Sequence, residues 1–355
     1  MAAVNMAEYG LIGKFETLAN ECSEQYAAAR IISQEKGLYR LVCKDGERCG
    51  EISGRLMYRA ERGSDYPAVG DFVYIGKANA DEVAVIHEIL PRKSVFIRKA
   101  AGIKNDEQVV AANIDTVFIC MSLNNDFNLR RLERYLSLAW DSGAVPVIVL
   151  TKADLCDDLT RKIEEVESIA FGVDIIYTSF VLSDGYAKLL PYIKPGKTVA
   201  LIGSSGVGKS TLINRLLGEE RLDTNGLRND DKGRHTTTRR ELILLKSGGM
   251  VIDTPGMREL GMVNAEDGID KTFADIEELA TKCRFRNCTH TNELGCAVMQ
   301  AISDGILSEA RWLSYQKLTN ENRYNDNNAL YLAEKRQKFK TIAKINKSSH
   351  DRKER

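Results

Sequence analysis

The chain has no surplus of charge, no long hydrophobic run and no dense cysteine framework, and each absence removes a class of function. Basic and acidic side chains balance at 50 each. The molecule is therefore not a polyelectrolyte, and any nucleic-acid affinity must come from local patches. The longest apolar runs, such as TVFICM (116–121) and VPVIVL (145–150), are strand-length and fall short of the roughly 20 residues a membrane-spanning helix needs. The N-terminus carries Glu8 and Lys14 and lacks the apolar core of a secretory leader. Of the 8 cysteines, only Cys283, Cys288 and Cys296 cluster. That is the usage of a reducing compartment with one metal site, not of a stapled secreted fold. A soluble, cytoplasmic protein without membrane attachment is expected. Its 355 residues suffice for about two or three domains with buried cores.

Three patterns follow one another along the chain. LYRLVCKDGERCGEISGRLMY (38–58) alternates apolar and polar residues and places Asp45-Gly46 where a hairpin turn would sit. YPAVGDFVYIG (66–76) and EVAVIHEIL (82–90) read as further strands. About five short strands in so small a span suit a barrel, of which the OB-fold is the usual member. Next, strand-like runs (Thr116–Met121, Val145–Leu150, Val173–Thr178, Thr198–Ile202) alternate with helical ones (Leu129–Ser142, Asp158–Ala170, Gly208–Leu217). This alternation predicts a parallel sheet covered by helices on both faces, and Glu241–Lys246 and Met250–Asp253 read as two closing strands. After Met262 the pattern turns helical, in DKTFADIEELA (270–280) and ILSEARWLSYQKLTNE (306–321), and ends in a Lys- and Arg-rich tail. Such a tail is either solvated or a contact for RNA phosphates. The predicted boundaries are an N-terminal extension (1–29), an OB-fold barrel (30–105), an α/β nucleotide-binding domain (106–262) and a C-terminal helical domain (263–355).

Four motifs carry chemistry. GSSGVGKS (203–210) follows an apolar strand and opens a helix. Its glycines let successive N–H groups face one concavity, and the helix N-terminus adds positive potential. Gly203, Ser204, Ser205, Gly206, Val207, Gly208, Lys209, Ser210 and Thr211 are thus predicted to hold a phosphate chain. Lys209 reaches the β- and γ-phosphates and Ser210 ligates Mg²⁺. DTPG (253–256) lies downstream at a strand end, where Asp253 can hold Mg²⁺ through water and the Gly256 N–H can meet the γ-phosphate. Between them, DDKGRHTTTRREL (230–242) offers Thr236, Thr237 and Thr238. One of these hydroxyls, Thr237 or Thr238, would complete the magnesium shell and make the segment a switch.

TKAD (151–154) is the base-reading candidate. Asp154 can accept from both N1–H and N2–H of guanine, a pair adenine lacks, while the stem of Lys152 covers the purine face. Thr151 and Ala153 complete the turn, and Thr178 and Ser179 of YTSF (177–180) supply contacts to the same base. In the fourth motif, CRFRNCTHTNELGC (283–296), Cys283, Cys288, His290 and Cys296 stand as C-x4-C-x-H-x5-C. Three thiolates and an imidazole form a closed set suited to one structural Zn²⁺. Arg284, Phe285 and Arg286 within it are either a solvated loop or an RNA contact.

A GTPase normally runs phosphate loop, switch threonine, D-x-x-G, then the base-reading motif. Here the base-reading motif comes first, so the order is circularly permuted. With LPRKSVFIRKA (90–100), QVVAANIDTVFI (108–119), FNLRRLERYL (127–136), GRHTTT (233–238) and DTPGMREL (253–260), the chain resembles the circularly permuted, small-subunit-dependent GTPases of the RsgA/YjeQ family over nearly its full length. The resemblance implies an OB-fold RNA-binding domain, a circularly permuted P-loop GTPase domain and a zinc-binding helical domain. It further implies GTP hydrolysis to GDP stimulated by the small (30S) subunit late in its maturation, contact with 16S rRNA, and Mg²⁺ with the nucleotide. Met257 stands where many GTPases carry a water-orienting glutamine; the family pattern points to His235 for that role, beside Lys209 and Thr237. Thr151 stands where asparagine is common, and its shorter side chain is expected to weaken the tie between base pocket and phosphate loop. A monomer is expected. Two other readings are an RNA-binding module with a merely structural nucleotide, and a P-loop ATPase or kinase, against which Asp154 speaks.

Overall fold

The computed structural model describes residues 3–35, 37–76, 82–99, 107–179, 185–222, 240–253, 265–291 and 293–324. Five strands, β1 (Tyr26–Glu35), β2 (Leu38–Cys43), β3 (Gly46–Ile52), β4 (Phe72–Gly76) and β5 (Ala84–Ile89), run in the order β1-β2-β3-β5-β4. Pairing of β4 back onto β1 closes them into a barrel. All pairs are antiparallel except β3 with β5. A short helix α1 (Lys14–Asn20) precedes the barrel, and α2 (Gly54–Arg59) follows β3. Alternate residues (Ala29, Ile31, Leu41, Ile75, Ile86) fill the interior, as a small closed sheet requires.

Three details differ from the sequence expectation. β1 begins at Tyr26, ahead of residue 30, because Ala27 and Ala28 pair with Ile75 and Tyr74 although their side chains carry no strand signal. The hairpin turn falls on Lys44-Asp45, with Gly46 at φ +123° already opening β3. Tyr66–Gly70 is no strand: Asp71 is buried there and accepts from the Ala68 N–H (2.8 Å) and from Arg92 (2.7 and 2.8 Å).

A hairpin of β6 (Val95–Lys99) and β7 (Glu107–Ala112) follows, its two strands lying on either side of residues 105 and 106. Next come β8 (Thr116–Ser122), β9 (Val145–Thr151), β10 (Asp174–Tyr177), β11 (Thr198–Ile202), β12 (Arg240–Leu244) and β13 (Met250–Asp253), ordered β10-β9-β8-β11-β13-β12. Every neighbouring pair is parallel except β12 with β13. Helices α3 (Leu129–Asp141) and α5 (Lys209–Leu217) cover opposite faces. Phe118 and Cys120 of β8 pack with Leu212 and Leu216 of α5, and Val117, Ile119 and Met121 with Leu132 and Leu136 of α3. A strand apolar on both faces is what a doubly covered parallel sheet demands. The Asn128 side chain caps α3 through the Arg131 N–H (3.0 Å), and Asp158 caps α4 (Leu159–Glu167) through Arg161 (3.0 Å).

The barrel and this sheet are continuous. β1 pairs antiparallel with β12 (Ser33 opposite Glu241, Gln34 opposite Arg240), giving one 11-stranded sheet. Beside this seam Arg30, 1% exposed, donates to the Tyr9 (2.5 Å), Gly70 (3.2 Å) and Asn113 (3.4 Å) carbonyls and to Thr198 Oγ1 (2.9 Å). The C-terminal part consists of α6 (Glu266–Thr272), α7 (Ala274–Thr281), α8 (Ala297–Ser303) and a helix α9 described over 309–324. It docks on α3. Arg311 of α9 reaches buried Glu133 of α3 (2.9 Å) and grips Asp275 of α7 with two bonds (2.6 and 2.8 Å), while Arg134 of α3 does the same to Glu321 (2.6 and 2.7 Å).

Candidate active site and metal centre

β9, β10, β11 and β13 run parallel, so their C-terminal ends share one edge of the sheet. Ligands of open α/β sheets sit at such an edge. β11 is followed by Gly203, whose φ of +148° and closeness to the Cys120 carbonyl leave no room for a side chain. Gly206 (φ +72°) and Gly208 (φ +99°) supply two more left-handed turns, and α5 begins without a side-chain cap. Its first N–H groups are therefore not taken by a capping side chain. Lys209 Nζ donates to the Gly203 (2.8 Å) and Ser204 (2.6 Å) carbonyls, folding the lysine over the loop. Ser205 and Gly206 are exposed, Val207 is buried beneath them, and Ser210 and Thr211 open α5 half-buried.

The TKAD turn is bound to this loop by two hydrogen bonds. Lys152, at φ +57° in the left-handed region, sends its Nζ to the Gly206 carbonyl (2.8 Å). A non-glycine residue held there is backbone strain, which concentrates at functional sites. Buried Thr151 donates its Oγ1–H to the Val207 carbonyl (2.7 Å). The shorter Thr151 side chain thus still ties the base turn to the phosphate loop, through this one hydrogen bond. Ala153 donates to the Thr178 carbonyl (3.1 Å), and Ser179 Oγ donates to Asp154 Oδ1 (2.6 Å), holding the exposed carboxylate at the rim. Asp253 ends β13, next to β11 in the sheet. His235, Thr236, Thr237, Thr238 and Gly256 lie outside the described residues.

Sequence reasoning missed Asp126. From the loop before α3 it accepts from Ser204 Oγ of the glycine loop (2.5 Å) and from Arg131 (2.8 Å). The Ser204 hydroxyl, followed by Arg131, holds this carboxyl below its ordinary range. Its only sequence signal is a polar NND turn (124–126) ahead of a helix, which reads equally well as capping.

Cys283, Cys288, His290 and Cys296 converge, their ligand atoms all within 4.8 Å of one another. His290 Nδ1 lies 3.5 Å from Cys283 Sγ and 3.4 Å from Cys296 Sγ. That is the spacing of donors around a tetrahedral ion with bonds of about 2.0–2.3 Å. The N–H groups of Ala297 (3.3 Å) and Met299 (3.4 Å), at the start of α8, point at the Cys283 and Cys296 sulfurs, as suits thiolates. Glu293 fastens the intervening loop by accepting from the Thr289 hydroxyl and from the Thr289 (2.8 Å) and Thr291 (3.0 Å) N–H groups, which together pull its carboxyl down to about 2. The donor set fits zinc.

A profile described as RsgA GTPase matches residues 89–263. The protein named "Small ribosomal subunit biogenesis GTPase RsgA 2" from Lactiplantibacillus plantarum is 49% identical over 330 residues, 93% of this chain and 92% of that one. The chain belongs to the RsgA GTPase family. Among solved structures, YjeQ from Thermotoga maritima superposes with a TM-score of 0.61 at 27% identity, covering 83% of this chain and 98% of that one. YloQ, titled a circularly permuted GTPase, gives 0.56 at 27% identity, covering 84% and 96%. The predicted fold class agrees with these relatives: an N-terminal barrel, a circularly permuted GTPase sheet and a C-terminal Cys/His cluster. Among the described residues no helix is long and apolar enough to cross a membrane.

Proposed function

We propose that this chain hydrolyses GTP to GDP and phosphate and acts in maturation of the small ribosomal subunit. One observation carries the nucleotide reading: Thr151 and Lys152 fasten the TKAD turn to Val207 and Gly206 of the glycine loop, so a purine site and a phosphate site are built as one unit. In this reading residues 203–211 hold the phosphates. Asp154, oriented by Ser179, selects guanine, and the 178–179 turn lines the base. Lys209 bonds two carbonyls of the loop, and its ammonium carries three donors with which to meet a phosphate oxygen as well.

Ser210 and Asp253 would hold Mg²⁺, with Thr237 or Thr238 completing its shell and Gly256 meeting the γ-phosphate; bound there, the ion neutralises charge developing on the phosphate oxygens. His235 is assigned to orient the attacking water, an imidazole being suited to that near neutral pH. Cys283, Cys288, His290 and Cys296 would hold a structural zinc, since four protein ligands leave no open position. We divide the chain into an N-terminal extension, a barrel that begins with β1 at Tyr26 instead of at 30 and runs to 105, a nucleotide-binding unit at 106–262 and a helical unit at 263–355. The barrel and the helical unit flank the GTPase and supply the contacts to 16S rRNA, and the protein acts as a cytoplasmic monomer.

The test is steady-state GTP hydrolysis by the full chain, alone and with purified small or large ribosomal subunits. A large stimulation by small subunits only is expected. Equal slow turnover in all three would sink the ribosomal part of the reading. Replacement Asp154→Asn exchanges an acceptor for an amide donor and is expected to trade guanine for xanthine nucleotides; an unchanged guanine preference would refute the base assignment.

A further inference from the structure

Beneath the base-reading turn lies a buried hydroxyl that no described residue bonds. The parallel register of β10 on β9 sets Tyr177 opposite Leu150, so Thr178 and Thr151 follow as the next pair at the edge of the sheet. Both are inside, at 3% and 0% exposure. The main chain of Thr178 brackets Thr151, its N–H donating to the Leu150 carbonyl (2.7 Å) and its carbonyl accepting from Ala153 (3.1 Å). Yet among the described residues Thr178 Oγ1 has no hydrogen-bond partner. No side chain can be added behind it at Gly185, where a Cβ would strike the Tyr177 carbonyl and the Thr178 backbone.

Thr151 gives its one hydroxyl proton to the Val207 carbonyl, and although its oxygen keeps acceptor capacity, no hydrogen bond joins it to Thr178 Oγ1. An asparagine amide carries two N–H donors and would serve the Val207 carbonyl and Thr178 Oγ1 together. With threonine at 151, the end of β9 is fastened to the phosphate loop but not, by a side-chain hydrogen bond, to Thr178 at the end of β10. The residue after Thr178 is Ser179, which orients Asp154 (2.6 Å).

We propose that the Thr151–Thr178 pair is a weak link that shortens the residence of guanine nucleotide, Thr178 acting as a positioning residue through Ser179 and Asp154. This rests on the guanine-binding reading of Asp154. The buried, unpaired hydroxyl makes the 178–179 turn cheaper to displace than a satisfied one, because displacement gives the hydroxyl water to bond. Opening that turn frees the base, so the chain releases GDP by its own loosening. Thr178 does not touch the nucleotide in this scheme: it sets how long the turn that does so stays closed.

The experiment measures the rate at which the full chain releases a fluorescent GDP analogue into excess GDP, for four proteins: wild type, two single variants and their combination. Thr151→Asn is expected to slow release by about three- to tenfold, the worth of one added hydrogen bond. Thr178→Val removes the unpaired hydroxyl at constant shape and is expected to slow release more modestly. In the double variant the second N–H of the amide introduced at position 151 has no acceptor, so release should be faster than in Thr151→Asn alone. Wild-type rates in both single variants would overturn the proposal, as would a Thr151→Asn effect that survives unchanged in the double variant. Should Thr151→Asn fail to fold, Thr178→Val decides alone. A merely structural role would raise the unfolding temperature of the nucleotide-free chain and leave the release rate where it was. The base reading fails separately, through unaltered guanine preference in Asp154→Asn.

Discussion

Arg30 is a buried cation whose hydrogen bonds go to neutral acceptors: three carbonyls, the Thr198 hydroxyl and the Met250 sulfur. Burial pulls its guanidinium down to about 10, which still leaves it charged at neutral pH. It costs desolvation but satisfies groups from the N-terminal segment, the barrel and the nucleotide-binding sheet at once. Replacement Arg30→Met strands those acceptors in a buried junction, and a loss of about 3 kcal/mol is expected in urea unfolding. A midpoint at the wild-type value would show that water serves these carbonyls equally well. Asp126 makes a different prediction. Its carboxyl is held low by Ser204 and Arg131. The bond it accepts from Ser204 of the glycine loop is therefore intact above the ordinary carboxylate pKa of about 4 and is lost as pH falls through the lower folded value. The acid limb of nucleotide binding should soften in Asp126→Asn, which cannot gain or lose a proton there. An identical acid limb in the variant would assign that limb to another group.

Helix α6 reaches α3 through Gly268. A Cβ at that position would fall inside the Ser137 carbonyl and against Asp141, so only glycine allows the two backbones to touch. Replacement Gly268→Ala should force the helices apart and destabilise the chain by about 1–3 kcal/mol. It should also disturb Arg311, which donates to the Thr272 carbonyl of α6 (2.9 Å) and to Glu133 of α3 (2.9 Å). A crystal structure of the variant with α6 unmoved would contradict this. The elements differ in how legible they are. The glycine loop, the TKAD turn and the Cys/His cluster stand out in sequence because their chemistry depends on residue type at fixed spacing, and the structure gathers their described members. Parallel strands such as β8 and β11 were legible as unbroken apolar runs. The start of β1 was not, because alanines at 27 and 28 fit any secondary structure and Arg30 gives the opposite of a core signal. Gly268 carried no usable sign either: a glycine in a short helix looks like a weak helix until its neighbour is known. The tie from Asp126 to Ser204 joins residues 78 apart, and nothing local marks one polar turn residue over the next.

At the scale of the whole molecule, barrel and nucleotide-binding sheet share strand pairing at β1–β12, buried side chains around Arg30, and the β6–β7 hairpin. The C-terminal helices add ion pairs of Arg311 and Arg134, both to buried or half-buried partners. Such seams do not behave like flexible linkers. They also bear on what happens when the chain is divided. A fragment starting at residue 106 would lose β1 from the flank of β12 and β6 from the flank of β7. Each would then present bare N–H and carbonyl groups along a strand with apolar neighbours, which is a template for other chains to add to. Light scattering on that fragment should show concentration-dependent self-association absent from the full chain, and a monodisperse fragment would argue otherwise. The barrel at the N-terminus is thus also the cover that keeps the nucleotide-binding sheet from recruiting its own copies.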